Sequence, residues 1–189
     1  MNIIDLTRRI NYLITRIYRV VNVKNQSEIV WQELVKLHKK EGWHFGQYDK
    51  EKFIETTFFF EDANIHRKFR YEVTQRKLIF KTELVPDFNV ESTHDVMILA
   101  SHFNSLLNFG VVRVDTTNRQ VHYEYSNDLW LYFLYPGEIL NEITRHYQIT
   151  LDCFWAFTQL MESNDDPVFI IAELLKRQEE ENKEQKNKL

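Results

Sequence analysis

Apolar positions along this chain keep two different periods. In residues 3–23, Ile3, Leu6, Ile10, Leu13, Ile17 and Val20 recur at steps of three and four, and Ile14 and Val21 widen the stripe. That is the period of a helix with one apolar face. Arg8, Arg9, Arg16 and Arg19 fall roughly opposite the stripe. After Lys24-Asn25-Gln26 the spacing predicts a second helix from Ser27, as N-cap, to Glu41. Val30, Leu34 and Leu37, with Trp31 and His38, form its apolar side, and Gly42 is placed to stop it.

From Phe53 the period falls to two. Thr56, Phe58 and Phe60 share one side of residues 53–61. Ile65, Arg67, Phe69, Tyr71 and Val73 alternate with His66, Lys68, Arg70 and Glu72, and Leu78, Phe80, Thr82 and Leu84 do the same in the next run. Short polar breaks separate the runs, so three antiparallel strands follow, each with one buried face. Helical spacing returns over residues 92–107 through Val96, Leu99, Phe103 and Leu106. Strands are then predicted at Val112–Val114 and Val121–Tyr125, joined by the turn Asp115-Thr116-Thr117-Asn118. A long helix opens at Pro136-Gly137-Glu138, with Leu140, Ile143, Tyr147, Leu151, Phe154 and Thr158 expected along its inner side. Asp166-Pro167 is N-cap and first-turn chemistry for a last helix, over 166–177. The tail 178–189 is mixed charge without apolar content and reads as disordered. Meandering strands and separate helices make the class α+β, an antiparallel sheet with helices on one face.

The chain has 189 residues, of which 43% are apolar and 14% aromatic. That suffices for one packed domain with extensions and excludes wholesale disorder. No run reaches the roughly 18 apolar residues of a membrane-spanning helix. Asp5, Arg8 and Arg9 stand where a secretory signal needs its apolar stretch. The expectation is a soluble, cytoplasmic protein. A single cysteine, Cys153, leaves no disulfide framework and no multi-cysteine metal site.

Glycine is the telling deficit. Of the four, none stands in G-x-G or Gly-Lys-Ser/Thr, so neither a dinucleotide fingerprint nor a P-loop is present. Both need glycine because backbone N–H groups must approach phosphate without a Cβ between them. No serine lies in G-x-S-x-G. His94 and His102 sit eight residues apart on one predicted helix, too far for one ion, and no histidine pair has i, i+4 spacing. Cys153, beside Phe154 and Trp155, reads as a small core residue rather than a nucleophile. Asp165-Asp166 reads as a helix cap rather than a catalytic pair. Asn25-Gln26-Ser27 matches a glycosylation sequon but has no signal peptide to give it meaning. No catalytic residue, cofactor or metal is therefore expected.

The stretch from Phe103 through Asn104, Asn108, Phe109 and Gly110 to Asp115, then Gln120–Tyr125, with Leu151-Asp152 further on, resembles the YbjN family of bacterial domains. The likeness runs roughly over residues 27–162. It implies an α-β-β-β-α-β-β-α core similar to that of type III secretion chaperones. It also implies an action by binding other polypeptides, commonly as a homodimer. The family is described as sensory transduction regulators, with no established chemistry. Residues 1–24, the helix over 166–177 and the tail lie outside it.

Charge is uneven: residues 1–90 hold 16 Lys/Arg and 12 Asp/Glu, residues 91–189 hold 8 and 16. Such asymmetry can steer association or pair two copies. His66, Lys68, Arg70 and Lys81 could face nucleic acid, but the interleaved Phe69 and Tyr71 alternate to the core side. A solvated face is expected, and no nucleic acid. Leu129–Tyr135 is the other conspicuous run, seven apolar or aromatic residues in a row. As a connection it would expose a patch, and Trp130, Leu131, Tyr132, Phe133 and Tyr135 would be partner-binding residues. As an extended strand it would be buried on both faces. The functional expectation is a non-enzymatic, chaperone-like adaptor for a protein partner. The competing expectation is a small-molecule sensor or enzyme with a pocket between sheet and helices. The first helix is expected to dock its stripe on protein, worth about 8–15 kcal/mol for five buried aliphatic side chains before ordering costs.

Overall fold

The structure, a computed structural model, describes residues 13, 14, 17, 25–60, 65–163 and 165–187. The elements after residue 25 are α1 (Gln26–Lys40), β1 (Phe45–Tyr48), β2 (Phe53–Phe60), β3 (Ile65–Val73), β4 (Lys77–Val85), α2 (Thr93–Leu106), β5 (Val111–Asp115), β6 (Gln120–Asp128), α3 (Leu129–Leu134), α4 (Glu138–Ser163) and α5 (Pro167–Asn187). The six strands form one antiparallel sheet in the order β1-β2-β3-β4-β6-β5. The class is α+β, as the two periods imply. β1 is an addition to the expected meander: it pairs with β2 from Phe45 opposite Thr56 to Tyr48 opposite Phe53. Its four residues include a glycine and show no alternation of apolar and polar positions that would announce a strand.

Most of the first predicted helix lies outside the described residues. Leu13, Ile14 and Ile17 are helical and exposed. Among the described residues, no helix is long and apolar enough to cross a membrane.

By its internal contacts the chain falls into two compact units. One takes residues up to Thr56 with Tyr71–Ile79 and Ser126–Ile143; the other takes Thr57–Arg70, Phe80–Tyr125 and Thr144–Leu189. In the first, α1 buries Val30, Trp31, Leu34, Val35 and His38, and α3 packs against it. Asn25, not Ser27, is the N-cap of α1. Gly42 ends the helix at φ +70°. Glu41 N–H donates to the Leu37 carbonyl and Trp43 N–H to that of His38, which satisfies the last turn. In the second unit, β4 and β6 alternate as expected: Phe80, Thr82 and Leu84, and Val121, Tyr123 and Tyr125, are buried. There α2 packs on β5 and α5.

Two expectations about the last helices are corrected. The buried line of α4 is not Leu140, Tyr147, Leu151 and Thr158: Leu151 is exposed, and the line runs Ile139, Glu142, Ile143, His146, Thr150, Cys153, Phe157, Leu160. It carries three polar side chains, which conceal it from a pattern based on apolar spacing. The helix α5 also does not stop at Arg177 but continues to Asn187. Arg177 lies over the Trp155 ring at 4.5 Å, and Gln178 donates to the Asp152 carboxylate at 2.7 Å, so the polar stretch starts anchored on α4. Glu, Gln and Lys are strong helix formers, and Glu179 and Lys183 have i, i+4 spacing. Asp166 caps α5 as expected, its carboxylate accepting from Val168 N–H at 2.8 Å.

Candidate functional site

The seven residues from Leu129 to Tyr135 are neither a surface loop nor a strand buried on both faces. They fold as one short helix, α3, with Tyr135 as its C-cap. Asp128 starts it by accepting from Trp130 N–H, and Leu129 N–H donates to the Arg76 carbonyl at 2.7 Å. The helical period splits the run. Leu129, Tyr132 and Phe133 are fully buried, and Tyr132 Oη accepts from the Asn127 side chain at 2.8 Å. Tyr132 and Phe133 therefore belong to the protein's own core and are not on its surface. Trp130, Leu131 and Tyr135 remain 40%, 38% and 38% exposed. Leu131 and Tyr135 are one turn apart on the outer side, and the Trp130 ring leans on Phe133 at 5.5 Å. Three large apolar side chains are thus held outward by a helix whose inner side is locked.

The interior holds two histidines: His38, which helical spacing places on the apolar side of α1, and His146, which apolar spacing does not single out. In the second unit His146 lies fully buried among Phe69, Phe80, Tyr123 and Tyr125, with ring centroids 5.2–5.8 Å away. Its Nε2 is 2.9 Å from Thr82 Oγ1. Burial among these rings pushes its pKa down to about 3, so the imidazole is neutral at ordinary pH. In the first unit His38 Nδ1 donates to the Leu34 carbonyl at 2.9 Å. Trp43, Phe45 and Tyr71 surround that ring at 5.1, 5.3 and 5.6 Å. Its Nε2 is buried and has no hydrogen-bond partner among the described residues. Burial lowers its pKa, against the opposing pull of the Leu34 carbonyl. Alternation places Thr82 on the buried side of β4, as helical spacing places His38 on the buried side of α1, and these are sequence signals for the interior polarity.

The residues carried by the YbjN-like pattern have local work. Asn104 clamps the start of β5: its side chain accepts from Val112 N–H at 2.7 Å and donates to the Val112 carbonyl at 2.9 Å. Asp115 accepts from the N–H groups of Thr117 and Asn118 and from the Asn118 amide. The Asn118 bonds hold its carboxyl below the usual range. Gly110 sits at φ +73°, where Tyr123 Oη, donating to the Phe109 carbonyl at 2.8 Å, fills the space a Cβ would take. Cys153 is buried, which pushes its thiol pKa up and away from nucleophilic use. His94 is exposed and His102 half-buried. Among the described residues no three His, Cys, Asp or Glu side chains converge on a metal position. His66 and Lys68 are exposed on β3, with the His66 ring against Phe59 at 4.9 Å, whereas Arg67 on the core side lies over the Phe154 ring at 5.2 Å.

No protein-family model and no curated protein matches the sequence. The solved structure of YbjN from E. coli, described as a proposed transcription regulator, is similar in fold. It superposes with a TM-score of 0.50 at 10% identity, over 69% of this chain and 93% of that one. The fold is therefore YbjN-like, as the pattern from Phe103 to Tyr125 led one to expect.

Proposed function

We propose that this is a non-enzymatic, chaperone-like adaptor of the cytoplasm that acts by binding another protein. The observation that carries the reading is the outer side of α3. Trp130, Leu131 and Tyr135 are held in solvent by a helix whose other side, Leu129, Tyr132 and Phe133, is buried. Tryptophan and tyrosine are common anchors of protein interfaces, and a rigid support lowers the ordering cost of binding. The buried state of Cys153, the low pKa of His146 and the structural use of Asn104 and Asp115 agree with a surface that binds without bond chemistry. The uneven charge of the chain suits pairing of two copies, and the protein is proposed to be a homodimer.

Capture from native lysate with the wild type and with a Trp130→Ala/Tyr135→Ala variant tests the reading. A protein recovered in stoichiometric amount by the wild type and lost by the variant supports it. Equal recovery by both removes the patch from the site. A purified protein that carries a bound small molecule and no polypeptide partner overturns the adaptor reading. Light scattering giving a mass near 23 kDa would overturn the homodimer.

A further inference from the structure

In the first unit a groove of about 430 Å³ runs between α1 and the end of β1. One wall is a single stripe of the helix: Glu28, Gln32, Lys36 and Lys39 recur at steps of three and four. Trp31 and Val35 are its apolar floor, only 4% and 8% exposed. Gln47 and Asp49 form the other wall. Among the described residues β1 is the outermost strand of the sheet, with β2 as its one strand neighbour. Alternate residues of an antiparallel edge strand turn their N–H and C=O groups outward, where another strand can pair.

Two acids and two lysines line the groove, and they are answered differently. Glu28 is taken up within the chain, by Lys52 Nζ at 3.0 Å and by Gln32 at 3.1 Å, and Lys52 lowers its pKa. Asp49 accepts from Gln47 at 2.6 Å and from the Trp31 indole at 3.3 Å. Lys36 and Lys39 are exposed and have no acidic partner among the described residues. With Glu28 answered by Lys52, Lys36 and Lys39 face the single Asp49 carboxylate, whose donors Gln47 and Trp31 are neutral, so the groove keeps one net positive charge above an apolar floor, beside an edge of β1 that no described strand covers.

We propose that this groove binds an extended acidic peptide, which adds as a strand to β1 and sets its carboxylates against Lys36 and Lys39. A strand advances about 6.8 Å over two residues on one face, and Lys36 and Lys39 are about 4.5 Å apart along α1, a difference their flexible stems span, so acidic residues at alternate positions meet both lysines. Backbone pairing supplies affinity and the lysines supply selectivity, the division of labour in strand-addition recognition. This surface is separate from the Trp130 patch, so the failure of either leaves the other standing.

The test is fluorescence anisotropy with the full chain and a labelled hexapeptide of alternating glutamate and valine. The wild type should bind it, and a lysine-valine peptide should bind at least tenfold more weakly. In a Lys36→Glu/Lys39→Glu variant the preference should invert. Both lysines are exposed, so an unchanged melting temperature is expected and is measured alongside. N-methylation of alternate backbone amides should abolish binding in one of the two registers. Absence of binding to the glutamate peptide, equal affinity for the charge-reversed variant, or indifference to N-methylation in both registers each overturns the proposal. A single-stranded oligonucleotide that displaces the peptide and depends equally on Lys36 and Lys39 would assign the groove to nucleic acid instead.

Discussion

Replacing His146 by glutamine should flatten the response of this protein to acid. In the native state burial holds the His146 pKa near 3, whereas the unfolded chain returns it to about 6.5. As pH falls the unfolded state takes up the proton first, so protonation pulls the equilibrium toward unfolding. The stabilisation is fully present above pH 6.5 and is lost progressively as pH falls from 6.5 toward 3. Between pH 7 and pH 5 this single group should cost about 2 kcal/mol, at roughly 1.4 kcal/mol per pH unit once the unfolded imidazole is charged. His38 acts in the same direction, because burial lowers its pKa as well. The comparison must therefore be between the wild type and the variant, not between two pH values of the wild type. Glutamine can keep a hydrogen bond to Thr82 Oγ1 but cannot titrate. At pH 7 the variant should be less stable, by about 1–3 kcal/mol, because the contacts with Phe69, Phe80, Tyr123 and Tyr125 are lost. At pH 5 that gap should close by about 2 kcal/mol. Urea unfolding followed by circular dichroism at the two pH values measures both quantities. A gap that is the same at both, or an imidazole resonance of His146 titrating near pH 6.5 in the folded protein, would refute the reasoning.

Three further substitutions separate the roles assigned above. Gly110→Ala should lower stability by about 2 kcal/mol or more in thermal unfolding, since a residue at φ +73° is strained and the new Cβ would stand 2.5 Å from Tyr123 Oη. Asn104→Ala removes both bonds to Val112 and should cost about 1–2 kcal/mol, while Asn104→Asp keeps the acceptor only and should fall between, as denaturant midpoints would show. Phe133→Ala should cost about 3–5 kcal/mol and Trp130→Ala no more than about 1 kcal/mol, because the first is fully buried and the second is 40% exposed; equal losses on thermal scanning would contradict the division of α3 into an inner and an outer side.

Local rules made much of the architecture legible. Alternation over β2, β3, β4 and β6 reported the buried face directly, since side chains of a strand turn to opposite sides at every step. The ends of α1 and α5 were announced by Gly42 and Asp166, whose conformational freedom and capping oxygen act within a few residues of sequence. Asn104, Gly110 and Asp115 carried the resemblance because their bonds close over eight residues or fewer or meet a fixed backbone angle. What the sequence could not decide lay wherever a distant partner changed the meaning of a residue. The run Leu129–Tyr135 is apolar on every side, so period alone could not tell a strand from a helix; the Asp128 cap and the Arg76 carbonyl made it a helix and sent Trp130 outward and Phe133 inward. His146 and Thr150 look like the wet side of α4 until the fold sets Thr82, 64 residues earlier, against the His146 ring at 2.9 Å, while Thr150 donates to the Tyr147 carbonyl of its own helix. The polar stretch after Arg177 looks disordered until Trp155 and Asp152 anchor its start. The groove beside β1 follows the same logic: Glu28 is one of many acids in the sequence, and only the fold, by pairing it with Lys52, leaves Lys36 and Lys39 in excess over Asp49 in the groove.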